Sequence, residues 1–116
     1  MGYDMYLLKV DKRKLNPDEL FWEVINNATI SSVNSYYPVL RDFENSHTNI
    51  HWTYEEYNLV SENTFKEIVE SLKTKLESPN TKWYKHEKST TECVYNQIKD
   101  WLPLKENEVI YFEEDS

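Results

Sequence analysis

Gly2 is the only glycine in a chain of 116 residues, and this scarcity restricts the possible folds and chemistries more than any other feature. Glycine reaches positive φ without steric cost and lets the backbone come close to a bound anion. Loops that cradle phosphate need both properties. Neither a P-loop nor the glycine-rich turn of a dinucleotide-binding fold can be present in recognisable form. The serine nucleophile elbow, which is flanked by two glycines, is excluded for the same reason.

A chain of this length fits one domain and should bury roughly two-thirds of its unfolded surface. Apolar residues make up 39% and aromatics 15%, with Trp22, Trp52, Trp83 and Trp101 spread along the length. Each buried aromatic removes about 150–250 Å² from water, so a few large side chains can supply the core. Thirteen basic and twenty-one acidic residues give a net charge of −8. Nucleic-acid backbones and anionic membranes are bound through Lys and Arg, so neither is an expected partner. The same charge also serves solubility. The lone cysteine, Cys93, allows no internal disulfide and no Cys-rich zinc site; a helix is expected to bury it as a small hydrophobe. No stretch approaches the ~20 apolar residues of a membrane span. The start lacks a secretory signal, and Tyr6 replaces the Ser or Thr of a myristoylation motif. A cytoplasmic location is the expectation.

Residues 3–10 read as a strand with Tyr6, Leu8 and Val10 on one face and Tyr3, Met5 and Leu7 on the other. Apolar side chains on both faces suit a central strand. Asn16, Pro17 and Glu19 form a helix start, and Leu20, Phe21, Val24 and Ile25 make one apolar stripe with Trp22 off its centre. Residues 28–49 carry little pattern: Val33, Tyr36 and Tyr37 suggest a short helix or turn ended by Pro38, and residues 45–49 have loop composition. Residues 50–60 alternate in part, with Tyr57 and Leu59 out of phase with Ile50, Trp52 and Tyr54, as a bulge or hairpin would require. Ser61 caps a helix whose Phe65, Ile68, Val69, Leu72 and Leu76 share one face. Residues 82–86 suggest a short strand. Ser89 and Glu92 form a capping box for a helix carrying Val94, Ile98, Trp101 and Leu102 inward until Pro103. Residues 108–112 read as a final strand. The expected fold is α+β: a single domain over residues 1–112, with a small mixed or antiparallel sheet of about four strands packed on about three helices. Residues 113–116 are expected to form an acidic, solvated tail.

Candidate chemistry is sparse. His47 and His51 are four residues apart, with Asp42 and Glu44 upstream and His86 as a distant third ligand. That spacing would serve zinc on a helix, but this stretch reads as loop running into strand, and surface histidines explain it as well. Cys93 falls in the first turn of its expected helix, where the dipole lowers a thiol pKa, yet no histidine is placed beside it. The abundant carboxylates do not by themselves indicate glycosidase chemistry. More informative is the crowding of Tyr36, Tyr37, Trp52, Tyr54 and Tyr57 near Glu55 and Glu56. Tyr and Trp are enriched at protein interfaces, and acidic flanks would favour a basic partner. Cross-strand packing is the competing explanation.

The opening Met1-Gly2-Tyr3-Asp4-Met5-Tyr6-Leu7 resembles a set of short phage and prophage proteins that begin Met-Gly-x-Asp-Met-Tyr-Leu. The run Tyr57-Asn58-Leu59-Val60-Ser61, entering the helix that carries Phe65 and Leu76, is similar to their strand-to-helix passage. His51-Trp52 faintly echoes a His-x-Trp-Phe segment found among them. The resemblance implies a mobile-element or bacterial cytoplasmic setting and brings no catalytic residues. The expectation is thus a small acidic module that binds another protein, as an inhibitor or immunity-type factor, without enzymatic activity or cofactor. The alternative is a small-ligand or metal site using His47, His51 and nearby carboxylates.

Overall fold

The computed structural model describes residues 4–15, 18, 22–34 and 57–115. Strand β1 (Asp4–Asp11) runs into a 3-10 turn, Lys12–Lys14. Helix α1 (Trp22–Ala28) leads directly into β2 (Thr29–Asn34). After β3 (Tyr57–Val60) come α2 (Glu62–Glu77), α3 (Glu87–Ile98) with a 3-10 turn at Lys99–Trp101, and β4 (Glu108–Asp115). The four strands form one antiparallel sheet in the order β2-β1-β4-β3. The chain is α+β, with three helices among the described residues.

β1 is central because both its faces are apolar, and each face has its own cover. Met5 and Leu7 join Val33, Val60, Ile110 and Phe112 beneath α2 and α3, which contribute Phe65, Ile68, Val69, Leu72, Val94 and Ile98. Phe65 stacks on Trp101 with ring centroids 5.8 Å apart. Leu8, Val10 and Tyr111 face the other way and pack on Ile25 and Ala28 of α1. Burying one such aliphatic or aromatic side chain is worth about 1.5–3 kcal/mol, so among the described residues the α2–α3 side carries most of the hydrophobic stabilisation. The side under α1 is thinner.

Ser61 caps α2 by accepting from the Thr64 N–H at 3.1 Å, and Lys75 lies in its last turn, where it complements the helix dipole. The Thr81 hydroxyl donates to the Lys75 carbonyl at 2.9 Å, satisfying one of the acceptors that a helix end leaves open.

Several expectations need correction. Val33 lies in strand β2 and not in a helix or turn, because Leu7 pairs opposite it and both side chains enter the α2–α3 core. Residues 82–86 form no strand. Helix α3 begins at Glu87 rather than beside Ser89. Glu87 is fixed there by an ion pair with Lys75 and by accepting from the Tyr84 N–H at 3.3 Å. Ser89 sits within the first turn and donates to the His86 carbonyl. Cys93 lies in mid-helix and is exposed rather than buried, because Thr91, Val94 and Ile98 make up the inward face of α3. β4 also continues through Glu113, Glu114 and Asp115, which pair with Tyr6, Met5 and Asp4 of β1. No helix among the described residues is long and apolar enough to cross a membrane.

Thr91 is fully buried on α3, and its hydroxyl has no hydrogen-bond partner. An unpaired buried hydroxyl costs about 1–3 kcal/mol, and valine has nearly the same shape without it. Thr91→Val should raise the unfolding free energy by about 1 kcal/mol, read as a higher urea midpoint at unchanged m-value. Phe65→Ala, emptying the centre of the same core, should lower it by about 3–5 kcal/mol.

Candidate functional site

The thinner face of the sheet holds the best-formed cleft. Among the described residues, α1 (Trp22–Ala28) is the helix that packs on that face. A cavity of about 260 Å³ lies between the helix and the strands. Tyr6 and Leu8 of β1 form its floor; Trp22, Ile25 and Asn26 of α1 form one wall. Tyr57 and Glu113 close the side toward β3 and β4, with Ser32 and Thr29 opposite on β2. The strand register explains this grouping. Asn34, Tyr6, Glu113 and Tyr57 occupy one row across all four strands. Residues in one row have Cβ atoms roughly 5 Å from their neighbours, so the two tyrosines flank the carboxylate.

Trp22 is 65% exposed, an unusual state for a large apolar ring, and it stands at the rim. Thr29 donates its hydroxyl to the Ile25 carbonyl at 2.7 Å, which satisfies the end of α1 and fixes the direct passage into β2. Burial pushes the Tyr111 phenol above its ordinary pKa. Chemically, the cleft combines aromatic walls, an apolar floor, one carboxylate, an amide and two hydroxyls.

Tyr57 is the one expected interaction residue that the described part of the chain contains, and it lines this cleft while packing on the α1-side core. Tyr36, Tyr37, Trp52, Tyr54, Glu55 and Glu56 lie outside the described residues, as do His47, His51, Asp42 and Glu44. His86 is exposed at the start of α3. Cys93 has Gln97 beside it, whose amide donates toward Sγ at 3.2 Å. Among the described residues no group of three or more His, Cys, Asp or Glu is arranged to hold a metal ion. Trp22, Tyr6 and Glu113 were not foreseen as site residues. Trp22's place off the apolar stripe was the one available signal, since strand register alone joins positions 6 and 113.

A second polar cluster lies at the opposite end of β1. Asp11 is only 6% exposed. It accepts from Arg13 Nε at 3.1 Å, Arg13 Nη2 at 3.0 Å and the Arg13 backbone N–H at 3.0 Å. Asn107 adds a further bond at 3.2 Å, and the Lys12 N–H donates to the Asn107 carbonyl at 2.7 Å. The Arg13 guanidinium, then Asn107 and the Arg13 N–H, hold the Asp11 carboxyl well below the usual carboxylate range against the opposing effect of burial. The cluster ties the end of β1 to the turn that enters β4. Its role is architectural.

No protein-family model matches the chain, and no curated protein or solved structure matches it.

A carboxyl whose pKa is depressed by folding stabilises the native state above its unfolded pKa, about 3.9 for Asp, and loses that contribution as pH falls toward the folded value. Asp11→Asn should therefore be less stable than the wild type at pH 7, and the gap should narrow as pH falls below about 4. Urea midpoints of both proteins across that range check this; a gap independent of pH would contradict it.

Proposed function

We propose that this chain is a non-enzymatic protein-interaction module, an inhibitor- or immunity-type factor of phage or bacterial origin that engages a basic partner. The observation that carries this reading is the aromatic rim of the cleft: Trp22 is exposed, and Tyr6 and Tyr57 line the cleft beside it. Interface hot spots are enriched in Trp and Tyr that fill or border a concave centre. The donor and acceptor set around them suits recognition, since the lining also includes the Glu113 carboxylate, the Asn26 amide and the Ser32 hydroxyl. The net charge of −8 would speed encounter with a basic protein and disfavour acidic ones. The opening that resembles short phage proteins supports the same setting, as does the lack of a phosphate-binding glycine loop.

Affinity capture from a bacterial lysate, with the tagged full chain as bait, tests this. A partner whose retention falls with added salt is expected, and Trp22→Ala should weaken it about tenfold or more. The fold should survive, since substitutions at exposed positions usually change stability by within about 0.5 kcal/mol. Equal retention by Trp22→Ala would remove this face from the interface.

A further inference from the structure

We infer that the turn between α2 and α3 binds single-stranded nucleic acid, stacking a base on Tyr84 while the lysines around it contact phosphates. The turn belongs to the helical layer on the other face of the sheet from the cleft, and the inference stands apart from the interaction role proposed above.

Net charge makes nucleic acid an unexpected partner for the chain as a whole, and this turn is the local exception. Lys73, Lys75, Lys82, Lys85 and Lys88 crowd residues 73–88 against two carboxylates, Glu77 and Glu87, in a chain of net charge −8. Lys75 and Glu87 pair with each other, whereas Lys73, Lys82, Lys85 and Lys88 are exposed. Charges are screened over about 8 Å at physiological ionic strength, a short distance in a molecule 45 Å long. A ligand on the turn therefore responds mainly to the turn's own lysines.

The aromatic residues decide which anion fits. Tyr84 is 70% exposed, and Lys85 Nζ lies 5.4 Å from its ring centroid. Its backbone is held at both polar groups: the Tyr84 N–H donates to the Glu87 carboxylate at 3.3 Å, and the Tyr84 carbonyl accepts from the Glu87 N–H at 2.8 Å. Glu87 is fixed in turn by Lys75, whose Nζ lies 5.2 Å from the ring centroid of Trp83. A ring presented on a backbone fixed in advance loses less freedom on binding. Lys85 itself has a φ of 42°. Residues with a Cβ stay in that region only where their surroundings impose it, and such positions gather at ligand-binding sites.

An acidic polypeptide is the competing ligand. Carboxylates are matched best by the guanidinium fork of arginine, and residues 73–88 contain no arginine. Lysine serves phosphate as a point charge, and each nucleotide brings a flat base along with its phosphate. Stacking on an aromatic ring tolerates any base, so the contact is not sequence-specific.

The test is an NMR titration of the isotope-labelled full chain at low salt. An oligothymidylate of about eight nucleotides, within the span that one small domain covers, should shift the Trp83 indole and the amides of Tyr84, Lys85 and His86 saturably. An abasic oligomer of the same length keeps the phosphates without the bases, and a glutamate peptide of equal charge lacks both. Each should bind about fivefold or more weakly. Tyr84→Ala, at an exposed position, should keep the native spectrum and weaken the oligothymidylate about fivefold or more. Lys82→Gln combined with Lys88→Gln should lower the slope of log affinity against log salt by about 1. If either variant loses its native spectrum, Lys85→Asn, which removes a charge and tolerates positive φ, should still cost several-fold. Trp22→Ala should bind the oligothymidylate like the wild type. Wild-type affinity in the folded turn variants would overturn the inference, as would loss of binding in Trp22→Ala. Equal affinity for the glutamate peptide would make the turn a site for acidic protein and overturn it too. So would the absence of saturable shifts with the oligothymidylate.

Discussion

The backbone ladder between β1 and β4 joins the two ends of the chain, pairing Asp4 with Asp115 at one limit and Asp11 with Glu108 at the other. β2 and β3 attach to its outer edges, and both apolar cores are built on its two surfaces. Pairing segments about a hundred residues apart incurs loop-closure entropy before any contact repays it. The ladder is secured at one end by the Asp11, Arg13 and Asn107 network. Nearby, Lys9 reaches Glu108 at 3.8 Å and lies over the Trp101 ring.

The sheet's two faces are used unequally. Two long helices seal one face with a continuous apolar layer that includes Phe65, Ile68, Leu72, Val94 and Ile98. Among the described residues, the other face carries a helix of seven residues, about 10 Å long at a rise of about 1.5 Å per residue. The cleft lies between that helix and the strands.

Scarcity of glycine shapes the turns as well as the chemistry. Between α2 and α3 the chain turns at Lys85, whose φ of 42° lies in the left-handed region. A residue with a Cβ adopts that conformation at a cost of about 1–2 kcal/mol. The cost is offset locally, since the Glu87 N–H donates to the Tyr84 carbonyl at 2.8 Å and the Glu87 carboxylate pairs with Lys75. That ion pair, joining two helices, also explains why α3 starts before its apparent capping box.

Local pattern was enough to place the terminal strands, the Ser61 cap and the core stripe of α2, because alternation and helical periodicity are properties of neighbouring residues. The α+β class followed from their order. Local pattern failed at Val33, whose strand state depends on Leu7 across the ladder, and at Cys93, which lies off the face of α3 that Thr91, Val94 and Ile98 bury. It also ended β4 at Phe112, because three carboxylates look like a tail until β1 is placed beside them. The cleft was least legible. Tyr6, Trp22, Tyr57 and Glu113 come from four separate elements, and no spacing along the chain relates them. By itself, the order of residues determined which segments can be helix or strand and which anion-binding loops cannot form, since those depend on local sterics and side-chain period. Tertiary structure alone decided which residues meet, because register and helix placement are settled by contacts between segments far apart in the chain.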